Sequence, residues 1–152
     1  DLHIAADHAD NFAETINKIS TDKEIIELKP EVITTKAHDA LNDHADNFVM
    51  RLVKVEVKPE DAEKFAHEVK KEMTTSMAAE PGMEIMMSGV NKKNENEWYF
   101  VEVYFDDKAY DAHIKSPQYV EYIENTDGMV ARRDVKDLVR DTLATQGAIV
   151  LD

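Results

Sequence analysis

Two short stretches of this chain place acid–base chemistry in apolar surroundings. Trp98-Tyr99-Phe100-Val101-Glu102-Val103-Tyr104 is a run of aromatic and β-branched residues that reads as a strand. Side chains alternate along a strand, so Trp98, Phe100, Glu102 and Tyr104 share one face, a single carboxylate among three aromatic rings. His113 follows on the next predicted helix and is expected to reach Glu102. A carboxylate against an imidazole fixes its tautomer and raises its basicity, so Glu102 and His113 could work as a general base. The same pair has a plainer use, tying helix to sheet, because ion-pair networks perturb titration without doing catalysis. Trp98 and Tyr104 equally suit a core or a subunit interface, and Tyr119 and Tyr122 suit either a pocket wall or simple packing.

The elements that must position these residues are readable from periodicity. A β-branched alternation over 48–57 predicts a first strand. Pro59-Glu60-Asp61 is a helix-start signal, and Ala62, Phe65, Ala66, Val69, Met73 and Met77 recur at the spacing of one helical face. Glu80-Pro81-Gly82 ends that helix, since proline cannot continue it and glycine tolerates positive φ. A hairpin is expected from 83–90 and 98–105, joined by the polar run 91–96. Met86 and Met87 fall on opposite faces of its first strand. Asp106 and Ser116-Pro117 open two further helical turns, Asp127-Gly128 stops the second, and a last strand runs through Val135, Leu138 and Val139. Strand, helix, strand, strand, helix, strand is the ferredoxin-like split βαβ order, an α+β fold with an antiparallel sheet.

The first residues read as a partial second copy of this unit. Laid without gaps on 111–151, residues 1–41 match Asp1 with Asp111, His3 with His113, Phe12 with Tyr122, Glu14 with Glu124, Leu28 with Leu138 and Thr35 with Thr145. Residues 1–36 are therefore expected to be the last helix and strand of a first repeat, 37–47 a linker, and 48–152 a complete domain. A lone strand leaves its backbone unpaired, so the one expected near 24–28 must pair with the complete domain or with another chain. Chance likeness between two helix-then-strand segments is the simpler explanation. The string Asp-His-Ala-Asp-Asn-Phe at 7–12 recurs at 43–48 in a different predicted context, and we have no physical account of it.

Composition excludes several classes. The chain has 152 residues, a net charge of −14 and no cysteine. That charge opposes binding to nucleic acid or to an anionic membrane, and the missing thiols exclude disulfides, thiolate catalysis and Cys-based zinc sites. No run approaches the roughly 18 apolar residues of a membrane span, and a cytoplasmic protein is the default expectation. His3, Asp7 and His8, or His38, Asp43 and His44, have spacings a metal could use, but nothing positions a second shell around them, and no metal is expected. Four glycines leave little room for a phosphate-binding loop.

Glu80-Pro81-Gly82, the strand 98–104 and Ala109-Tyr110-Asp111-Ala112-His113-Ile114-Lys115-Ser116-Pro117-Gln118-Tyr119 together resemble the antibiotic biosynthesis monooxygenase family. The last piece is similar to its A-x-x-A-H-x-x-S-P-x-F/Y signature, and the likeness covers 48 to about 145. The resemblance implies a dimeric α/β barrel, a homodimer or a tandem pseudo-dimer in which each last strand reaches its neighbour. It also implies oxidation of a small aromatic, quinol or polyketide-like substrate by O2 without a cofactor, with His113 and Glu102 catalytic and Trp98, Phe100, Tyr104, Tyr119 and Tyr122 binding substrate. Triplet O2 must take one electron from an electron-rich anion, so such a site needs a base, oxyanion donors and a water-poor pocket. Haem degradation on the same fold would need a helix histidine where this chain has Ile123 and an Asn on the strand 48–57, which has none. The competing expectation is a non-catalytic dimeric module that binds a small hydrophobic ligand or mediates assembly.

Overall fold

The computed structural model describes residues 24–36 and 48–138, together with Glu14, Thr15, Lys18, Ser20 and Thr21. Five strands form one antiparallel sheet: β1 (Leu28–Thr35), β2 (Val49–Val57), β3 (Met83–Asn91), β4 (Asn94–Tyr104) and β5 (Val130–Leu138). Their order is β1-β3-β4-β2-β5. Without β1 this is the expected ferredoxin-like sheet. Helix α1 (Ala62–Ala79) joins β2 to β3, and α2 (Asp107–His113) and α3 (Pro117–Thr126) join β4 to β5.

Local chemistry sets the helix ends. A single 3-10 turn at Pro59–Asp61 leads into α1. The Asp106 carboxylate accepts from the Ala109 amide at 2.8 Å, and the Ser116 hydroxyl accepts from Tyr119 at 3.3 Å, so each short helix has a side-chain cap. Gly128, at φ +80°, provides the left-handed residue that turns the chain into β5.

Helices α1, α2 and α3 pack on one face of the sheet. Phe65, Val69 and Met73 of α1 lie with Val53, Val55, Val57, Met83, Met86, Trp98, Phe100 and Tyr104 in one core. Phe48, Ile85 and Val103 form a smaller cluster with Met50, Met87 and Phe105 on the other face. Met86 and Met87 thus part to opposite faces, as alternation requires.

Two expectations are corrected. The polar run 91–96 is not a loop: only Lys92 and Lys93 form the turn, and Asn91 pairs with Asn94. The Asn91 side chain holds this tight turn, accepting from the Lys93 amide at 2.9 Å and donating to Glu97 at 3.0 Å. The N-terminal strand lies at Leu28–Thr35 instead of 24–28, and it pairs with β3. Polar and β-branched Thr34, Thr35, Ile33 and Val32 suit a sheet edge better than the Glu-rich stretch before them. The recurring string at 7–12 and 43–48, apart from Phe48, lies outside the described residues, as do His3, Asp7, His8, His38, Asp43 and His44.

Gly82 fixes the approach of α2 to the end of α1. A Cβ there would collide with the Ala109 side chain, so the small residues of two separate motif pieces touch each other. Gly82→Ala should therefore destabilise the fold by about 1–3 kcal/mol, the usual scale of overpacking, as measured by chemical denaturation. An unchanged midpoint would show that α2 can shift freely.

Candidate functional site

The site is built where the C-terminal end of α1 meets α2, α3 and β4. Glu80 caps α1, its amide donating to the Ser76 carbonyl at 2.9 Å. Its carboxylate receives His113 Nδ1 at 3.0 Å and Gln118 Nε2 at 2.5 Å. The imidazole is 1% exposed and packs against Tyr104 and Tyr119, with ring centroids at 5.4 and 4.7 Å. On its other side Nε2 stands 3.9 Å from Oε1 of Glu72, too far for a hydrogen bond. Glu72 is buried, and its Oε1 accepts from Ser76 at 2.6 Å.

The expected His113–Glu102 pair is therefore replaced by His113–Glu80. Glu102 accepts instead from the Tyr104 hydroxyl, at 2.8 Å. The sheet explains this: Glu102 lies between Met86 and Arg51 in register, whereas α2 carries His113 over the end of α1. Arg51 turns away to Asp137, at 2.5 Å, and lies over the Tyr110 ring at 3.6 Å.

Two adjoining clefts share Val53, Glu102, His113, Tyr119 and Arg133, with empty volumes, mouths included, of about 350 and 250 Å3. Glu72, Phe100 and Tyr122 line the first, and Tyr104 and Tyr110 the second. His113, Glu102, Phe100, Tyr104, Tyr119 and Tyr122 are thus brought together. Trp98 is not: it lies one pleat beyond Phe100, against Phe65 with ring centroids at 5.2 Å, and lines neither cleft.

Sequence reasoning passes over three participants. Glu80 reads as part of a helix stop. Glu72 reads as helix surface, yet Phe65, Val69, Glu72 and Ser76 are spaced 4-3-4, which is a buried stripe. Arg133 sits opposite Val55 in β5, so alternation turns it to the helix face, where its guanidinium donates to the Tyr119 hydroxyl at 3.1 Å.

Charges in this cluster are tuned in opposite directions. Burial pushes the Glu72 carboxyl up to about 7, despite its bond from Ser76 and the nearby imidazole. Burial also opposes ionisation of Glu80, but the bonds and charge of His113, with those of Ser76 and Gln118, together hold it below the usual range. Burial alone would lower His113, but the Glu80 bond and the charges of Glu72, Glu80 and Glu102 raise it. Burial and the adjacent Glu102 keep Tyr104 protonated far above its ordinary range. Among the described residues no group of three or more His, Asp or Glu could hold a metal, and no helix is long and apolar enough to cross a membrane.

The antibiotic biosynthesis monooxygenase family model matches residues 48–125, just over half of the sequence. The chain belongs to this family. A crystal structure described as a "putative monooxygenase" from Lactobacillus acidophilus NCFM is 72% identical, with a TM-score of 0.88 over 99% of this chain and 69% of that one. Another so described, from Fusobacterium nucleatum, is 24% identical, with a TM-score of 0.81 over 92% of this chain and 63% of that one. A "putative antibiotic biosynthesis monooxygenase" from Bacteroides thetaiotaomicron is 29% identical, with a TM-score of 0.65 over 67% of this chain and 97% of that one. No curated protein matches the chain.

These shifts set the pH dependence of stability. The folded state holds a proton on Glu72 between its ordinary value of 4.5 and about 7, so stability falls as pH rises through that window. His113, raised from 6.5, continues the fall above it, whereas Glu80 costs stability only as pH drops below 4.5. The melting temperature should decline from about pH 5 to about pH 8, and Glu72→Gln should flatten the lower part of that decline. Thermal unfolding across this range checks it, and a parallel slope in the variant would assign the dependence to other groups.

Proposed function

We propose that this protein is a cofactor-independent monooxygenase that oxidises a small electron-rich phenol, quinol or polyketide-like compound with O2. The observation that carries this reading is the His113–Glu80 bond. With Nδ1–H committed to Glu80, Nε2 is the nitrogen on the side of Glu72 and the cleft, and in the neutral ring it carries the lone pair. A base held in one tautomer by a half-buried carboxylate is what removal of a phenolic proton needs. Glu80 orients the base, and Glu102, held by Tyr104, supplies a second polar group at the cleft. Phe100, Tyr119 and Tyr122 would wall an aromatic ring, and Arg133 at the mouth would hold the developing oxyanion. For a phenol with a free ring C–H, one O2 gives one quinone and one water, and the substrate itself provides all the electrons.

The working assembly in this proposal is a barrel whose sheet packs its uncovered face on a second sheet. That second sheet comes from another copy or from the front of a tandem protein. The tandem form has support in length: the chain spans 69% of its Lactobacillus relative, leaving there about as much chain as the strand, helix and hairpin of residues 48–110.

Oxygen-electrode and quinone-absorbance assays with hydroquinones and naphthols at neutral pH test the chemistry. Uptake above autoxidation is expected, with His113→Ala lowering the rate by about a hundredfold or more and Glu80→Gln by a smaller factor. If the compounds bind, by tyrosine fluorescence, but no uptake exceeds background, the protein is the ligand-binding module and the enzyme reading falls.

A further inference from the structure

We propose that Glu72 is the acid of this site, delivering a proton to the peroxide oxygen formed when O2 adds to the substrate anion. The inference rests on the oxidative reading above and gives that reaction its second proton-transfer group. A base alone does not complete the chemistry. Once the phenolate has passed one electron to O2 and the two radicals have joined, a C–O bond exists and the terminal oxygen is an anion. That oxygen must be protonated before the O–O bond can break.

Glu72 is placed for this task and is poorly explained by stability. It occupies a position of the inward stripe of α1 where Phe65 and Val69 bury apolar groups, and it is only 6% exposed. Its one short bond is to Ser76 on its own helix, and its contact with α2 is a 3.9 Å approach to His113 Nε2, longer than a hydrogen bond. Removing a carboxylate from water without a bonded cation is costly, and an apolar residue there would gain burial energy instead. It lines the same cleft as His113, and the 3.9 Å between Oε1 and Nε2 keeps acid and base as separate groups beside one bound molecule. The titratable and charged groups around it are His113 from α2, Glu80 at the end of α1, Glu102 and Tyr104 from β4, Tyr119 and Tyr122 from α3, and Arg133 from β5. Apart from His113, Arg133 is the only cation among them, and it lies at the exposed mouth. Glu72 therefore sits in surroundings that favour its neutral, proton-carrying form.

The protons balance. His113 takes the phenolic proton. Glu72 gives its own to the terminal peroxide oxygen and, as a carboxylate, takes the proton of the ring C–H. The O–O bond then breaks, the second carbonyl forms, and the departing hydroxide takes the proton from His113 to leave as water. Both groups end in their starting state.

The test uses 1-naphthol, whose position opposite the hydroxyl carries a free C–H, and compares wild type, Glu72→Gln, Glu72→Asp and His113→Ala. Glu72→Gln keeps an acceptor for Ser76, so folding is expected to persist. The wild type should form one quinone per O2. In Glu72→Gln the quinone yield per O2 should drop by about tenfold or more, the difference appearing as superoxide or hydrogen peroxide, with Glu72→Asp recovering part of the yield. The loss of kcat as pH rises through neutrality should vanish in the Gln variant, and the NMR titration of His113 should move to lower pH. If Glu72→Gln leaves yield, pH profile and His113 titration unchanged, Glu72 is a structural carboxyl and the role is overturned. If the wild type consumes no oxygen, the oxidative reading falls and this role falls with it. A coupled Glu72→Gln enzyme overturns the role alone.

Discussion

One carboxylate holds the working end of this molecule together. Glu80 ends α1, its carboxylate binds His113 of α2 and Gln118 of α3, and its backbone carbonyl receives the Lys36 ammonium just beyond β1. Lys36, His113 and Gln118, from either side of Glu80 in the sequence, converge on this one residue. The covalent structure forces the meeting: Pro81 forbids another helical turn, and Gly82 leaves only enough room for Ala109. Removing the Glu80 carboxylate would leave a buried imidazole without its partner, so its loss would be felt in geometry as well as charge.

Glu72 in α1 and Glu80 at its C-terminal cap are two acids, eight residues apart, whose environments separate them. Glu80 sits beside hydrogen-bond donors that favour its ionised form, whereas Glu72 is buried and resists ionisation. Between them the imidazole is directed by the first and exposes its free nitrogen toward the second. Two carboxyls pushed apart in this way can take unlike parts in one reaction, one orienting and one exchanging protons. Tyr104 extends the pattern, remaining a neutral donor to Glu102 because burial and that carboxylate both oppose its ionisation.

How far the sequence reveals this depends on the range of each interaction. The strand around Glu102, the caps at Asp106 and Ser116, the stop at Pro81 and the sheet order follow from local periodicity and turn chemistry, and all are legible. So is the convergence of His113, Glu102, Phe100, Tyr104, Tyr119 and Tyr122, since alternation and helix phase aim them at one region. The partner of His113 is not legible. Choosing between Glu102 and Glu80 requires knowing how far α2 slides along the end of α1, and that is set by the Gly82–Ala109 contact. Glu72 was within reach, because its spacing from Phe65 and Val69 is that of the buried stripe. A charged residue on an amphipathic helix is ordinarily solvated, and that expectation masked it.

The position of β1 bears on the expectation that residues 1–36 belong to a second copy. A gapless offset aligns Leu28 with Leu138, the last residue of β5, so β1 corresponds to the sequence that follows β5. Residues 20–27 would then be the counterpart of β5 itself, which pairs with the first strand of its own unit. β1 runs seven or eight residues later than simple equivalence with β5 would put it. It also gives the β3 edge a lasting cover, which an exposed strand rich in methionine and isoleucine requires to avoid pairing at random. Gly89 fits the same purpose, since a Cβ there would stand 2.9 Å from the Lys29 carbonyl oxygen and push β1 away. The sheet edge, the missing side chain and the extra strand are thus one device, and it brings Lys36 to Glu80 at the border of the candidate site.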